Sequence, residues 1–252
     1  NEKYILSSVT NALDILDLLN DYEELSLAQI CRLTDISKAA AFRLLYTLES
    51  KSYVIKSDDG KYSLNIKFAR FGAKLLERQS ILLISKPYLE LLRNTYGETA
   101  HLSILSSDNS CVIIHKEVGF QPMQMSSAIG AAMDINCSAT GKIITAHLDE
   151  DIIDEKLKEH EFVKYTENTK TDIDEIKEEY IKSVKDGYAS DLEERDIGLT
   201  CYASPIFDIS KKCVGSLSIS GRTKNMTANK DDMIQSLKHS SSQISAKLGY
   251  KA

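Results

Sequence analysis

The sequence lacks long apolar runs, paired cysteines and low-complexity tracts. No apolar run approaches the roughly 18 residues that a membrane span needs, and the N-terminal segment has no signal-peptide hydrophobic core. The five cysteines are far apart and include no C-x-x-C pair, which argues against a disulfide framework or a structural zinc site. We therefore expect a cytoplasmic protein with reduced thiols, no metal and no cofactor.

Length and charge favour two domains of different character. The 252 residues are enough for two hydrophobic cores, and a hydrophobic content of 42% with 27% charged residues is typical of a globular protein. The net charge of −6 is unevenly distributed. The segment from Arg32 to Arg78 carries ten Lys and Arg against five Asp and Glu, whereas the whole deficit lies after residue 80. A basic segment before an acidic body fits a DNA-binding module joined to a second domain.

The N-terminal part shows three helical patterns followed by a hairpin. SSVTNALDILDLLN has apolar residues at helical spacing, with Ser7 or Ser8 available as cap; the stripe is Val9, Ala12, Leu13, Leu16 and Leu19. SLAQICRLT opens with a Ser26–Gln29 capping box, and its apolar face is Leu27, Ile30 and Cys31. An apolar stripe marks the third helix, at Ala41, Leu44, Leu45 and Leu48. YVIK and KYSLN then flank an Asp-Gly turn at Gly60. This order is typical of a winged helix-turn-helix, and a small helical packing module is the alternative.

The segment NIKFARFGAKLLER predicts a helix with one basic strip and an otherwise apolar circumference. The strip consists of Lys67, Arg70, Lys74 and Arg78. Because so apolar a helix needs a partner surface, we expect a linker and dimer element.

After residue 81 the patterns change to short strands mixed with helices. Helices are predicted in KPYLELLRNTYG, in SATGKIITAHL, from Asp172 to Asp186 and from about Asn229 to Leu248, and strands in TAHLSILS, CVIIHKEV and VGSLSISG. The mixture predicts an α+β domain on a mostly antiparallel sheet.

Catalytic motifs are incomplete throughout. SATGKII resembles half a phosphate-binding loop, but Asn136 replaces the leading glycine and Ile143 replaces the magnesium-binding Ser or Thr. GSLSISG is not a nucleophile elbow, and the histidines never adopt ligand spacing; His101 is expected to be a satisfied side chain in a strand. The run Asp191-Leu192-Glu193-Glu194 offers paired carboxylates, but acidic pairs beside a turn usually lie at the surface. We predict no catalytic residue and no enzyme.

Seven ordered motifs resemble the IclR-type bacterial transcriptional regulators over nearly the whole chain. They are SVTNALDILDLL, LSLAQICRLTDISKAAAFRLLYTLESKSYV, GKYSLNIKFARFG, GETAHLSIL, CSATGKIITAHL, DGYASDLEERDIGLTCYASPIFD and LSISG. The resemblance implies a winged helix-turn-helix at 1–65, a linker helix at 66–80 and a GAF-like α+β effector-binding domain at 81–252.

The same resemblance implies a regulator whose operator affinity is controlled by a small organic acid or sugar acid. Its expected partners are a palindromic double-stranded operator, this effector, and further copies of the chain as a homodimer or a dimer of dimers. The alternative is a ligand-binding or protein-docking module without sequence-specific DNA binding.

The resemblance also implies which residues contact DNA. They are Ser37, Lys38, Ala39, Ala40, Phe42, Arg43, Tyr46, Lys56 and Lys61. Ala39 and Ala40 stand where family members usually carry Ser-Thr, and Phe42 replaces a His, Tyr or similar residue. In one interpretation these apolar groups contact thymine methyls while Arg43 reaches a guanine or a phosphate. In the other, Ala39 and Ala40 only favour the helix, and DNA binding is weak.

By position, five residues correspond to the family's ligand site. They are Ala139, Thr140, Asp191, Cys201 and Ser218. The start of the helix in SATGKII would offer N–H groups to a carboxylate, and Asp191 would accept a hydrogen bond from a ligand hydroxyl. Asp134 replaces a frequent proline and Asn136 a frequent histidine, so we expect both to affect which ligand is preferred.

Overall fold

The computed structural model describes residues 4–77, 80–120 and 128–251, with side chains omitted for 73–77 and 80. The chain divides into two compact units, Asn1–Arg78 and Gln79–Ala252. Within the described ranges, no helix is both long and apolar enough to cross a membrane.

The N-terminal unit places a small antiparallel sheet after a set of helices. Its elements are α1 (Ser7–Asp21), β1 (Leu25–Ser26), α2 (Leu27–Thr34), α3 (Lys38–Ser50), β2 (Val54–Lys56), β3 (Lys61–Leu64) and α4 (Lys67–Glu77). The predicted hairpin is confirmed as β2 and β3, with β3 central between β2 and β1. The two-residue strand β1 is too short to leave a periodic pattern and was not predicted.

The core of this unit confirms the helical stripes of α2 and α3. Ala41 and Leu45 are buried with Ile30, and Ser26 forms the predicted capping box with Gln29. The cap prediction for α1 was wrong, because Leu6 is the N-cap residue and no side chain bonds the helix start.

Helix α1 has two apolar faces. Ile15 and Leu19 are buried in the core, whereas Val9 and Leu13 are 52% and 55% exposed. Leu6 continues this outer face one turn earlier. We name Leu6, Val9 and Leu13 the α1 stripe.

Helix α4 packs part of its apolar surface on its own unit. Tyr53 contacts Phe68 and Phe71, with ring centroids 5.5 and 6.1 Å apart. The ammonium of Lys67 lies 3.8 Å from the centre of the Tyr53 ring, and Arg70 is exposed. Of the other two members of the predicted basic strip, Arg78 and the side chain of Lys74 lie outside the described residues.

The C-terminal unit is built on an antiparallel sheet, as predicted. Its elements are α5 (Ser80–Tyr96), β4 (Thr99–Leu105), β5 (Cys111–Glu117), α6 (Ala139–Thr145), α7 (Glu150–Glu159), α8 (Ile173–Asp186), β6 (Ala189–Leu192), β7 (Leu199–Phe207), β8 (Cys213–Arg222), α9 (Thr223–Ala228) and α10 (Lys230–Lys247). The described strands pair in the order β5-β4-β8-β7-β6. Helix α7 was not predicted, and α5 begins before the expected Lys86, with Pro87 inside it.

The two faces of this sheet have different partners. On one face, Ser204 of β7 bonds Ser241 of α10 at 2.8 Å. On the other face, Ala139 and Ile143 of α6 pack on small residues such as Ala203. The small side chains let α6 approach the strands closely and leave little space beneath its first turn.

Candidate DNA-binding surface and effector pocket

Helix α3 presents most of its predicted DNA-contacting side chains to solvent. Ser37 is the N-cap, and its Oγ accepts a hydrogen bond from the N–H of Ala40 at 3.4 Å. The buried side of the helix, at Ala41 and Leu45, fixes which residues face outward. The exposed predicted residues are Ser37, Lys38, Ala39, Phe42, Arg43 and Tyr46.

Two aromatic rings dominate this exposed face. Phe42 and Tyr46 stack with centroids 6.5 Å apart and are 49% and 65% exposed. Ala40, in contrast, is half-buried against the core and does not belong to the same face. Beyond the helix start at Ser37 and Lys38, the outward surface therefore includes one alanine methyl, two aromatic rings and the guanidinium of Arg43.

The two wing lysines are in different situations. Lys56 is exposed, with its ammonium 5.6 Å from the centre of the Tyr62 ring. Lys61 forms ion pairs with Glu24 and Asp59, the second at 3.2 Å. A lysine already paired with two carboxylates is less available to a phosphate, so Lys56 is the stronger candidate for backbone contact.

The five predicted effector residues converge on one cavity in the C-terminal unit. Ala139 and Thr140 approach from α6, Asp191 from β6, Cys201 from β7 and Ser218 from β8. Cross-strand pairing of Asp191 with Cys201 places these two side chains next to each other on one face of the sheet. The cavity volume is about 10 Å³, so a ligand larger than a water molecule must push its walls apart.

Four further residues line the cavity and were not predicted. They are His101, Ile113, Met133 and Ser138. His101 was expected to be an ordinary strand residue, but it pairs with Ser218 on the floor of the cavity. Burial lowers the pKa of His101 to about 4, so the imidazole is neutral at physiological pH. Its position opposite Ser218 follows from strand register, which the sequence pattern alone did not reveal.

Asp191 is the carboxyl group inside the cavity. Burial raises its pKa to about 7, although its Oδ1 accepts a hydrogen bond from the N–H of Glu194 at 2.8 Å. The expectation that Asp191 and Glu194 form a surface pair was wrong, since they are 3% and 5% exposed. Desolvation makes the charged form of Asp191 unfavourable, and a ligand that donates hydrogen bonds to this carboxylate would stabilise the charged form.

The buried cation that accompanies these carboxyl groups is Lys142, which was not predicted. It follows the first turn of α6, is 1% exposed, and binds Glu194 at 2.6 Å and Glu179 at 2.8 Å. Its ammonium also donates to the carbonyl of Ser190 at 3.0 Å. Burial lowers the pKa of Lys142, but the two carboxylates outweigh burial and raise it overall, so Lys142 is a cation. The network ties α6 to α8 and to the turn after β6.

The start of α6 is already engaged by protein groups. Ser138 Oγ accepts from the N–H of Gly141 at 2.9 Å and donates to the carbonyl of Asp134 at 2.7 Å. Gly141 is required there, because a Cβ would lie 2.1 Å from that carbonyl oxygen. With only seven residues, α6 also has a short dipole. That a ligand carboxylate binds at this end stays a prediction.

Asp134 and Asn136, the two residues near the pocket that differ from the usual family residues, do not line the cavity. Asp134 forms an ion pair with Arg195, and Asn136 donates to the carbonyl of Lys170 at 2.7 Å. The guanidinium of Arg195 also lies 4.7 Å from the centre of the Tyr165 ring. Any effect of these two residues on ligand preference therefore acts through the surrounding loops and not by direct contact.

A winged helix-turn-helix followed by an α+β unit with a buried pocket defines a transcriptional regulator with an effector-binding domain. Residues 8–57 match the IclR helix-turn-helix domain, and residues 73–246 match the family described as bacterial transcriptional regulator IclR C-terminal. The chain belongs to the IclR family of DNA-binding transcriptional regulators.

Individual relatives match over nearly their whole lengths. An uncharacterized HTH-type transcriptional regulator of Haemophilus influenzae is 32% identical over 97% of this chain and 93% of its own. The HTH-type transcriptional regulator KdgR of Escherichia coli is 30% identical over 97% of this chain and 94% of its own. The crystal structure of Thermotoga maritima IclR has a TM-score of 0.74 and 33% identity, over 97% of this chain and 99% of that one.

Proposed function

We propose that α3 reads operator bases through the exposed face of Ala39, Phe42, Arg43 and Tyr46. A methyl group and two aromatic rings suit apolar contact with thymine methyls in the major groove, and Arg43 can donate to a guanine edge or a phosphate. Ser37, Lys38 and Lys56 would add backbone contacts, with smaller contributions from Ala40 and Lys61. The observation that carries this proposal is the stacked and exposed Phe42–Tyr46 pair beside Arg43.

We further propose that two copies of the chain act together on a palindromic operator, with residues 1–65 as the DNA-binding domain and 66–80 as the linker helix. The α1 stripe supports this proposal, because a folded unit seldom exposes three large apolar side chains on one helix face without a partner. A homodimer or a dimer of dimers would bury that face and would place two α3 helices over two half-sites.

We infer that residues 81–252 bind a small organic acid or sugar acid in the pocket of Ala139, Thr140, Asp191, Cys201 and Ser218. The convergence of these five residues from four separate elements supports the site. Because the cavity is nearly closed, ligand binding has to move α6 or the strands that line it. Such a movement is the means by which the effector would change operator affinity, with a coupling of about 1–3 kcal/mol.

The proposal for α3 is tested by selecting bound sequences from a random duplex library with the full chain. Wild type should enrich an inverted repeat, and Arg43→Ala should lose it. Arg32→Ala is the matched control, since Arg32 is an exposed arginine at the end of the neighbouring helix α2. It should weaken binding without changing the motif.

Replacing thymine by uracil within the selected motif then tests the methyl contacts. Wild type should bind the uracil duplex less tightly, whereas Phe42→Ala should bind both duplexes equally. An unchanged motif with Arg43→Ala would show that α3 does not read the operator.

A further inference from the structure

Three serines continue the floor of the effector pocket along one strand. Ser216, Ser218 and Ser220 occupy alternate positions of β8 and therefore point to the same face of the sheet. Ser220 pairs with Cys201, and Cys201 pairs with Asp191. Because directly opposed residues share a face, this serine row lies on the face that holds the pocket.

The two outer serines of the row have hydroxyl groups that the fold does not use. Ser216 and Ser220 are 0% and 2% exposed, and their Oγ atoms have no hydrogen-bond partner among the described residues. A buried hydroxyl without a partner is costly, and native proteins usually satisfy it. Ser204 shows the usual case on the opposite face, where it bonds Ser241 and the carbonyl of Gly187 at 3.1 Å. On the pocket face, by contrast, the hydroxyl groups of Ser216 and Ser220 have no such partner among the described residues.

The polar groups of the pocket favour a ligand rich in hydroxyl groups. Ser218 and Thr140 can each donate and accept a hydrogen bond, while Asp191 accepts when ionised and can also donate when protonated. Among the described residues that line the cavity, none is a lysine or an arginine, and Lys142 is held by Glu194 and Glu179. Hydrogen bonding to hydroxyls, and not charge pairing, is the recognition that these side chains provide.

The spacing of the strands sets the length of the ligand. Asp191 lies on β6 and Ser220 on β8, with β7 between them. Neighbouring strands are about 4.8 Å apart, so these two residues are about 10 Å apart. A two-carbon acid would contact one of them at a time, whereas an extended chain of five or six carbons reaches both. Met133 in the cavity wall is unbranched and can move to admit such a chain.

We propose that the pocket binds a polyhydroxylated carbon chain, of the sugar or sugar-acid class, whose hydroxyl groups are held by Ser218, Ser220 and Asp191. This inference rests on the proposed role of the pocket as the effector site. It narrows the effector to a ligand with several hydroxyls along an extended chain, and excludes aromatic acids and the shortest acids.

Calorimetric titration of the full chain with four probes tests the ligand class. D-gluconate and D-glucitol share a chain of hydroxyls and differ in the carboxylate, so their comparison separates a sugar acid from a neutral polyol. Hexanoate has the length and charge of gluconate without its hydroxyls, and benzoate is an aromatic acid. We expect gluconate or glucitol to bind at least about tenfold more tightly than hexanoate and benzoate, since each lost hydrogen bond costs up to a factor of ten. The proposal is overturned if hexanoate or benzoate binds as tightly as gluconate or glucitol. It is also overturned if neither gluconate nor glucitol binds at millimolar concentration.

Ser220→Ala tests the serine row itself. The substitution should weaken binding of the preferred polyol about fivefold to tenfold, while the unfolding temperature stays unchanged or rises because an unpartnered hydroxyl is removed. Ser204→Ala is the matched control on the opposite face; it should lower the unfolding temperature and leave the affinity unchanged. Equal affinities of wild type and Ser220→Ala would contradict the assignment.

Ala139→Leu separates failure of the ligand class from failure of the effector site, because it adds volume inside the cavity. If hexanoate or benzoate binds and Ala139→Leu removes that binding, the pocket is a ligand site but its ligand is not a polyol. If a polyol binds equally well to wild type and Ala139→Leu, the binding site lies elsewhere and the proposal is wrong.

Discussion

Burial brings the ionisation of Asp191 into the range of cellular pH. Its pKa is raised from an ordinary 3.8 to about 7, so the folded chain holds this proton more tightly than the unfolded chain. A group of this kind contributes stability that is fully present below its unfolded pKa and is lost as the pH rises through its folded pKa. The free energy of unfolding is therefore higher in acid, where Asp191 is neutral, and falls above neutrality, where the buried carboxyl group ionises.

We expect Asp191→Asn to reduce the loss of stability between pH 5 and pH 8. The asparagine keeps an oxygen that can accept from the N–H of Glu194 but cannot ionise. Relative to wild type, the fall in the free energy of unfolding across this interval should be smaller by about 2–3 kcal/mol. Urea unfolding of the full chain at each pH measures it. Asp196→Asn, at an exposed neighbouring position, is the control and should follow wild type. A parallel pH dependence of Asp191→Asn and wild type would refute the buried-carboxyl account.

At the scale of elements, α6 is the helix on which the pocket depends. It packs on small residues of β6 and β7, and its lysine holds the carboxylates of Glu194 and Glu179. Glu194 lies in the turn after β6, and its own N–H group donates a hydrogen bond to Asp191. A movement of α6 caused by a ligand would therefore also displace the turn that orients Asp191.

Lys142→Met should destabilise the C-terminal unit far more than an exposed lysine substitution. Removing the ammonium leaves Glu194 buried without its cation, at a cost of about 3–5 kcal/mol in the free energy of unfolding. Glu194→Gln added to Lys142→Met should recover part of that cost, since a neutral amide is cheaper to bury. Urea unfolding of the single and double variants measures the coupling.

Lys177→Met provides the control for this double-mutant cycle. Lys177 forms an ion pair with Asp154 on the more exposed side of α8, where such pairs contribute about 1 kcal/mol or less. If Lys142→Met costs no more than Lys177→Met, the buried network does not stabilise the unit.

At the scale of the whole molecule, the exposed α1 stripe is an apolar surface that the single chain leaves uncovered. Leu13→Glu places a carboxylate in the middle of the stripe, and we expect it to weaken self-association by ~10-fold or more, because burying an unpaired charge is costly. Sedimentation velocity of the full chain measures the change, and affinity for the palindromic duplex should fall with it.

Ser7→Glu is the control for self-association. At 100° per residue it lies about 120° around the helix from Leu13. It adds the same charge at an exposed position outside the stripe and should leave association unchanged. Association that is equally strong in wild type and Leu13→Glu would place the interface between copies elsewhere.

The sequence by itself determined the local elements whose signals lie close together along the chain. The period-3.6 stripe of Ala41 and Leu45, the Ser26–Gln29 cap and the Asp-Gly turn are local signals, because each depends on residues within a few positions of one another. The five effector residues came from resemblance to a family, and the structure brings them to one cavity.

Only the tertiary structure decided which groups are buried and what covers them. In sequence, Asp191 and Glu194 look like residues of a surface turn, and Lys142 looks like part of an incomplete phosphate-binding loop. All three side chains are buried, because α6, α8 and β6, which are distant along the chain, meet around them. Likewise, Val9, Leu13 and Leu19 belong to one predicted helical stripe, yet of these three only Leu19 is buried, together with Ile15, which lay outside the stripe. A local pattern defines the faces of an element, but the neighbouring elements that cover each face are set by packing between distant segments.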